Sequence, residues 1–299
     1  MRGLIIWLSL NNVTMEIEIK GHSGCQVEIV NKGGNLYISK STHNKDYVPR
    51  LYRQAVKQQM ASRAVYQHIR IPEIYEIERT EEYVNVKMEY VYSKNYIDYF
   101  EDAGFDQINY FIKALKIFID WEIEHSSLEI IDRQVILDKF RDVCCKIQRN
   151  DFINKDKEVM EIMECSASVF QGIDEEIKIP VGHCHGDLTF SNILFNGNNY
   201  YLIDFLDSFI ESPLLDLVKI RQDSHYGWSR LMYEHRWDNV RMDIISQKID
   251  MEIAKYYSRY DWYGKYYALF QLMNFLRIIQ YAKEEKVILF LKKELKSML

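Results

Sequence analysis

Proline and glycine are scarce, 4 and 12 among 299 residues. Each turn signal therefore carries weight, and no internal repeat or low-complexity stretch divides the chain. Cysteine is equally sparse. Cys25, Cys144, Cys145, Cys165 and Cys184 are odd in number and form no Cys-x-x-Cys pair. That excludes a disulfide framework and structural zinc and points to a reducing compartment, the cytoplasm. Long hydrophobic runs are missing too: Leu4 to Leu10 is too short to span a bilayer. Arg2 precedes that run, but no small-residue cleavage site follows. Residues 1–14 read as an extra strand or as an upstream start to a fold beginning near Met15. No basic run interleaves with aromatics, and the net charge is −6, so nucleic acid is not the expected partner.

What is present is enough apolar material, 47% against 27% charged, for one large domain or two packed lobes. Met15–Lys20, Cys25–Val30 and Asn35–Lys40 alternate with period two and are joined by Gly21-His22-Ser23-Gly24 and Asn31-Lys32-Gly33-Gly34. This predicts an antiparallel meander. Asp46 to about His68 has helical spacing, with Tyr52, Val56, Met60 and Ala64 every fourth residue and Pro49 in the first turn. Strands are expected at Ile74–Glu78 and Tyr83–Tyr92. Beyond Ser93 the pattern turns helical, at Asp106–Glu124, Leu128–Arg149, Lys155–Gln171, Asp238–Tyr260 and Trp262–Leu299 with a break near Ala282. Val181–Asp207 is the exception. The expected fold class is α+β and bilobal, with a small β-rich lobe with one helix, residues 1–91, before a mainly α lobe, residues 92–299.

The chemistry concentrates in His183-Cys184-His185-Gly186-Asp187-Leu188-Thr189-Phe190-Ser191-Asn192 and in Ile203-Asp204-Phe205-Leu206-Asp207. Between them, Ile193–Phe195 and Tyr201–Ile203 read as a hairpin around Asn196-Gly197-Asn198-Asn199. The hairpin brings Asn192 near Asp204, with Asp187 on the feeding loop. Oxygen donors of this kind suit a hard cation such as Mg²⁺ completed by phosphate, and a further carboxylate can accept a hydroxyl proton. The plainer alternative, that these residues only cap turns and strand ends, does not account for the spacing of Asp187, Asn192 and Asp204.

HGDLTFSN followed by IDFLD resembles the phosphotransferases typified by aminoglycoside phosphotransferases and choline kinases, small-molecule members of the protein-kinase-like fold. The resemblance covers nearly the whole chain, because the order of strands and helix also fits. It implies that Asp187 orients and deprotonates the acceptor hydroxyl. Asn192 and Asp204 would hold Mg²⁺, His185 would brace the catalytic loop, and Asp216 would be structural. Asp207 would either assist a second metal or hold its loop. On the nucleotide side, Gly21, Ser23 and Gly24 resemble the phosphate-covering turn, or an ordinary hairpin turn. Lys40 resembles the α/β-phosphate lysine, or a lysine at a strand edge. Met88, Glu89 and Val91 look like the hinge facing adenine, or a core strand ending. One departure stands out: residues 46–72 contain no glutamate to pair with Lys40, and Gln58 is the expected substitute.

Only eleven residues separate Asp204 from Asp216, and the loop reads HGD rather than HRD, so a peptide platform is not expected. The implied activity is transfer of the γ-phosphate of ATP or GTP to a hydroxyl of a small molecule: an aminoglycoside, a choline-like amino alcohol or a sugar. Residues 1–91 hold 12 basic and 10 acidic side chains, leaving 26 against 34 in the remainder, which suits a cationic acceptor. Trp228, Trp237, Trp262 and Tyr263 offer an aromatic wall or ordinary helix packing. Arg221, Arg230, Arg236 and Arg241 suit an anion instead. The alternative activity is a nucleotide-binding regulatory module with little turnover.

Overall fold

The computed structural model describes residues 17–20, 25–234 and 236–299. The candidate phosphate turn with Gly21, Ser23 and Gly24 lies outside the described residues, as do residues 1–14.

The alternating segments form strands as their period requires. β1 (Ile17–Lys20), β2 (Gln26–Lys32) and β3 (Asn35–Thr42) make the meander, with Gly33 and Gly34 both at positive φ in the β2–β3 turn. After α1 (Val48–Ala61) come β4 (Ile69–Arg70), β5 (Ile74–Arg79) and β6 (Val84–Glu89). The antiparallel sheet runs β1-β2-β3-β6-β5. Helix α1 packs on β5 and β6, where Val48, Leu51 and Ala55 meet Ile74, Val84, Val86 and Met88 in one apolar cluster.

Helix α1 differs from its expectation in extent and in facing. Its buried stripe is Val48, Leu51, Ala55 and Gln58, one face of a 3.6-residue helix. The helix stops at Ala61 instead of near His68. Val65, beyond its end, is 94% exposed. His68 instead takes φ 69° and leads into β4.

The change from strand to helix falls between Glu89 and the next element, α2 (Tyr96–Asp102), capped by the Asn95 side chain on the Asp98 amide. There follow α3 (Phe105–Glu124), β7 (Ser126–Asp132), α4 (Arg133–Gln148), α5 (Lys157–Gln171) and β8 (Glu176–Gly182). The chain then runs through β9 (Ile193–Asn196), β10 (Asn199–Leu202), α6 (Pro213–Ser224), α7 (Asn239–Tyr257), α8 (Asp261–Ile279) and α9 (Glu285–Met298). The expected helix from Leu128 is corrected. Leu128 to Asp132 pair with β8 as a strand, and α4 begins only where Asp132 caps it through the Gln134 amide. Helices α2 and α6 were not expected from the pattern.

By packing, the chain divides into two compact units. One contains the described residues up to Phe118 with residues 185–208 and 233–245; the other contains residues 119–184, 209–232 and 246–299. The loop at Asp187 and the hairpin therefore pack in the same unit as the N-terminal sheet. The second unit is built on α4, α5, α6, α8 and α9, with the β7–β8 ribbon against α6 and α8.

In the first unit the hairpin is fixed from several sides. Gly197, at φ 58°, lets β9 turn tightly into β10 so that Asn196 faces Asn199. β10 pairs in parallel with β4, and Phe195 exchanges two backbone hydrogen bonds with Lys94. Phe195 is buried, stacks on Tyr99 at 4.3 Å and packs against Phe111 and Tyr200. Truncating a fully buried ring of this kind costs about 3–5 kcal/mol. Phe195→Ala is expected to lower unfolding stability by that amount in a denaturant titration, with Phe195→Leu losing clearly less.

Candidate functional site

The loop before β9 is organised by His185, which is fully buried. Its Nε2 lies 2.9 Å from the Ile203 carbonyl, an acceptor only, so Nε2 carries the proton. Its Nδ1 accepts the Asp187 backbone N–H at 3.2 Å, so that nitrogen carries none. Both partners demand the neutral ring. Burial enforces it by pushing the imidazole down to about 4, against a smaller upward pull from the Asp187 carboxylate. Phe205 covers the ring at 4.2 Å.

Asp187 is oriented from within its own loop. The Asn192 amide donates to the Asp187 carbonyl at 2.8 Å and to its Oδ2 at 3.0 Å. The Thr189 N–H donates to the same carbonyl at 2.7 Å. The orientation of the Asn192 amide follows from those two acceptors, and its Oδ1 is left as an acceptor. The Ile203 N–H donates to the Asn192 carbonyl at 3.0 Å, which ties this loop to the strand end carrying Asp204.

Asp204 has φ 62°, a left-handed conformation unusual outside glycine. On β3, Lys40 reaches it: Nζ lies 2.7 Å from Asp204 Oδ1, with Lys40 buried and Asp204 half exposed. Burial pulls the Lys40 ammonium down, but the Asp204 carboxylate outweighs it and holds the group above its ordinary value. The lysine therefore stays charged inside the protein. Past Asp204, the Leu206 N–H donates to the His185 carbonyl at 3.0 Å. Gly186 sits at φ 88°, and a Cβ there would fall 2.1 Å from the Leu206 carbonyl oxygen. That contact explains why the loop reads HGD: the position has no room for a side chain.

One expectation is corrected. Gln58 does not serve Lys40; its amide donates to the Pro72 carbonyl at 3.1 Å and approaches the Met88 sulfur at 3.8 Å. It is the fourth member of the buried α1 stripe, so it faces β6, where Met88 lies. Asp207 pairs with Arg53 of α1, and Lys57 of α1 donates to the Leu206 carbonyl at 2.8 Å. Of the two roles open to Asp207, the one visible is holding its loop. Arg53 and Lys57 were missed by sequence reasoning, although their i, i+4 spacing in a helix without acids was a usable signal.

Met88 is buried one residue before the end of β6, the Glu89 carboxylate accepts the Glu73 N–H at 3.2 Å, and the Val91 carbonyl accepts the Ser93 hydroxyl at 3.3 Å. Asp216 lies in the other unit, fully buried in the first turn of α6, which Ser212 caps. The first unit thus brings together Lys40, His185, Asp187, Asn192, Asp204 and Asp207, and not Asp216.

The basic and aromatic residues considered for an acceptor are largely committed elsewhere. Arg221 grips Asp250 with two nitrogens, donates to Tyr263 and lies over Tyr267. Arg230 bonds Ser246, and Arg241 caps the end of α2 through the Phe100 and Ala103 carbonyls. Trp262 and Tyr263 are buried, and Trp228 packs toward Phe290. Only Arg236 of the four arginines is exposed.

Among the described residues, no three His, Cys, Asp or Glu side chains gather as a metal site. The Asn192 amide oxygen and the Asp204 carboxylate are both oxygen donors, too few by themselves to close an octahedron. That fits Mg²⁺, which binds few carboxylates and takes phosphate and water for the rest.

Residues 146–242, which include the whole segment from His185 to Asp216, match the family model described as the phosphotransferase enzyme family. No curated protein matches the chain. Among solved structures, the GDP and kanamycin complex of APH(2")-IIia is similar at 14% identity and a TM-score of 0.63, covering 96% of this chain and 94% of that one. A glucosamine kinase is similar at 12% identity and a TM-score of 0.60, covering 91% and 75%. A ternary complex of a thermostable aminoglycoside phosphotransferase APH(4)-Ia mutant with ADP and hygromycin B is similar at 12% identity and a TM-score of 0.56, covering 95% and 92%. The fold is theirs: an α+β, kinase-like arrangement of an N-terminal sheet with one helix and a mainly helical C-terminal part.

Two outcomes follow. Gly186→Ala should cost about 2–4 kcal/mol in chemical unfolding, because a left-handed backbone and a steric overlap add. The neutral His185 also makes the fold acid-sensitive. An unfolded chain protonates this ring near pH 6.5 and the folded one only near 4, so stability falls as pH drops below about 6.5 and levels off near 4. The full effect is about 3 kcal/mol. Melting temperatures from pH 7 to 4.5 should fall more steeply for wild type than for His185→Gln; parallel curves would contradict this.

Proposed function

We propose that the chain is a nucleoside-triphosphate-dependent phosphotransferase that moves the γ-phosphoryl group to a hydroxyl of a small molecule. The observation that carries this reading is a carboxylate, Asp187, held by the Asn192 amide in the same compact unit as the Lys40–Asp204 pair. Asp187 orients the acceptor hydroxyl and takes its proton as the new bond forms. Neutral His185 keeps the Asp187 peptide in place without placing positive charge next to the base. Lys40, charged and buried, exchanges Asp204 for the α/β-phosphates when nucleotide binds. Asn192 and Asp204 would hold Mg²⁺, which when bound screens the β/γ-phosphate charge. Residues 1–91 then serve the nucleotide, with Met88, Glu89 and Val91 at the adenine edge and Gly21, Ser23 and Gly24 over the phosphates. Residues 92–299 carry the base, the metal ligands and the acceptor.

The donor is ATP or GTP, in keeping with the ADP and GDP bound by structural neighbours. For the acceptor we favour a cationic, hydroxyl-rich molecule of the amino-sugar type. The neighbours' kanamycin, hygromycin B and glucosamine are of this kind. The acidic balance of residues 92–299 agrees, and three of the four arginines that would have suited an anion are locked in structural pairs. No described helix is long and apolar enough to cross a membrane, and the five free cysteines suit a reducing cytoplasm.

The test is nucleotide turnover with Mg²⁺ against aminoglycosides, glucosamine, choline and neutral sugars. Acceptor-dependent release of ADP or GDP is expected, falling roughly a hundredfold or more in Asp187→Asn. Magnesium-dependent nucleotide binding without acceptor-stimulated turnover would favour a regulatory binding module instead.

A further inference from the structure

Helix α1 has no acidic residue anywhere in Val48–Ala61, yet it is not idle toward the site. Its basic residues Arg53 and Lys57, one turn apart, both reach the loop that follows Asp204. We propose that Arg53 and Lys57 are positioning residues for the metal loop. They anchor it from α1 by its backbone and by Asp207, in place of an acid on the helix that would anchor Lys40. The proposal rests on the phosphotransferase reading, because it concerns how Asp204 is presented to Mg²⁺.

Three observations carry it. First, the Leu206 peptide is a junction. Its carbonyl accepts Lys57 Nζ at 2.8 Å and lies against the bare Cα of Gly186, while its N–H donates to the His185 carbonyl. The Lys57 charge is close enough to His185 to be one of the forces lowering that imidazole's proton affinity. Second, Asp204 stands two residues upstream in a left-handed conformation that neighbouring contacts must maintain. Fixing the Leu206 carbonyl fixes the peptide through which Asp204 would relax. Third, the charges are matched without a helix acid. The loop presents Asp204 and Asp207; Lys40 meets the first and Arg53 the second. A carboxylate at position 58 would face Pro72 and Met88, where the Gln58 amide is already used, and so would lie away from Lys40.

The two residues should differ in weight. Arg53 is well exposed and its pair is screened by water, whereas Lys57 is half-buried and makes a charge-assisted bond to a backbone carbonyl. The experiment is binding of a fluorescent ATP analogue titrated with Mg²⁺, and again in chelator, to wild type, Lys57→Met, Lys57→Arg and Arg53→Met. In Lys57→Met the half-saturating Mg²⁺ concentration should rise about tenfold, and in Arg53→Met about two- to threefold. Lys57→Arg should stay near wild type, and affinity in chelator should be the same in all four. An unchanged Mg²⁺ requirement in Lys57→Met, or an equal loss of affinity with and without Mg²⁺, overturns the proposal. Should Lys57→Met fail to fold, the exposed Arg53→Met decides by the same criterion. If wild type itself shows no Mg²⁺-stimulated binding, the phosphotransferase reading falls and this one with it. Wild-type stimulation that the variants leave untouched removes only the role of α1.

Discussion

A single neutral imidazole holds the candidate site together. His185 uses both ring nitrogens on backbone groups, one on the strand end that leads to Asp204 and one on the peptide of Asp187. These two segments lie seventeen residues apart in the chain and carry different chemistry, so their relative position has to be set by something rigid. A buried ring with one donor and one acceptor is such a part, and it works only in one protonation state and one tautomer. The Asn192 carbonyl, which accepts the Ile203 N–H, and the Leu206 N–H add further ties between the same two segments. The β9–β10 hairpin, clamped by Lys94 and by the aromatic cluster around Phe195, provides the base on which they rest.

Around that core the electrostatics are arranged by exchange of partners. Lys40 is buried, which disfavours its charged form, and Asp204 more than reverses that pull. Asp204 in turn is half exposed at the end of its strand and has that buried ammonium as its partner. Each therefore compensates the other, and in this pair neither charge is left buried without a counter-charge. Helix α1 takes part in this economy from the other side, with cations directed at the loop rather than an anion directed at the lysine.

Much of this was legible in the sequence where local rules apply. The spacing of Asp187, Asn192 and Asp204 around an Asn-Gly turn placed three oxygen-bearing side chains at one end of a hairpin, and the hairpin formed with that turn. The meander and helices α3 and α5 followed their periodicity. The misses have physical causes. Helix α6 is buried on nearly every face, so it has no amphipathic period to detect. β7 was read as the start of α4, because an Ile-Ile pair beside Leu128 satisfies either period over so short a run. Gln58 was expected from its spacing before Pro72, and a count along the chain does not show that its side chain turns onto the Pro72 carbonyl and Met88 instead of toward Lys40. Arg53 and Lys57 meet partners about 150 residues away, a pairing that no local pattern encodes.

The bare Cα of Gly186 also bears on how such a chain can change over generations. In HRD kinases the middle residue of this tripeptide is the arginine that senses a phosphate on a mobile loop. Here the corresponding space is filled by the Leu206 carbonyl, itself held by Lys57 and tied to His185. An arginine could enter only after that peptide had moved, and the peptide cannot move while α1 and the histidine keep it. An arginine at this position would thus need a change in the Leu206 peptide and its partners as well as at position 186. The packing at one bare Cα thus closes this position to any side chain for as long as the Leu206 peptide keeps its partners.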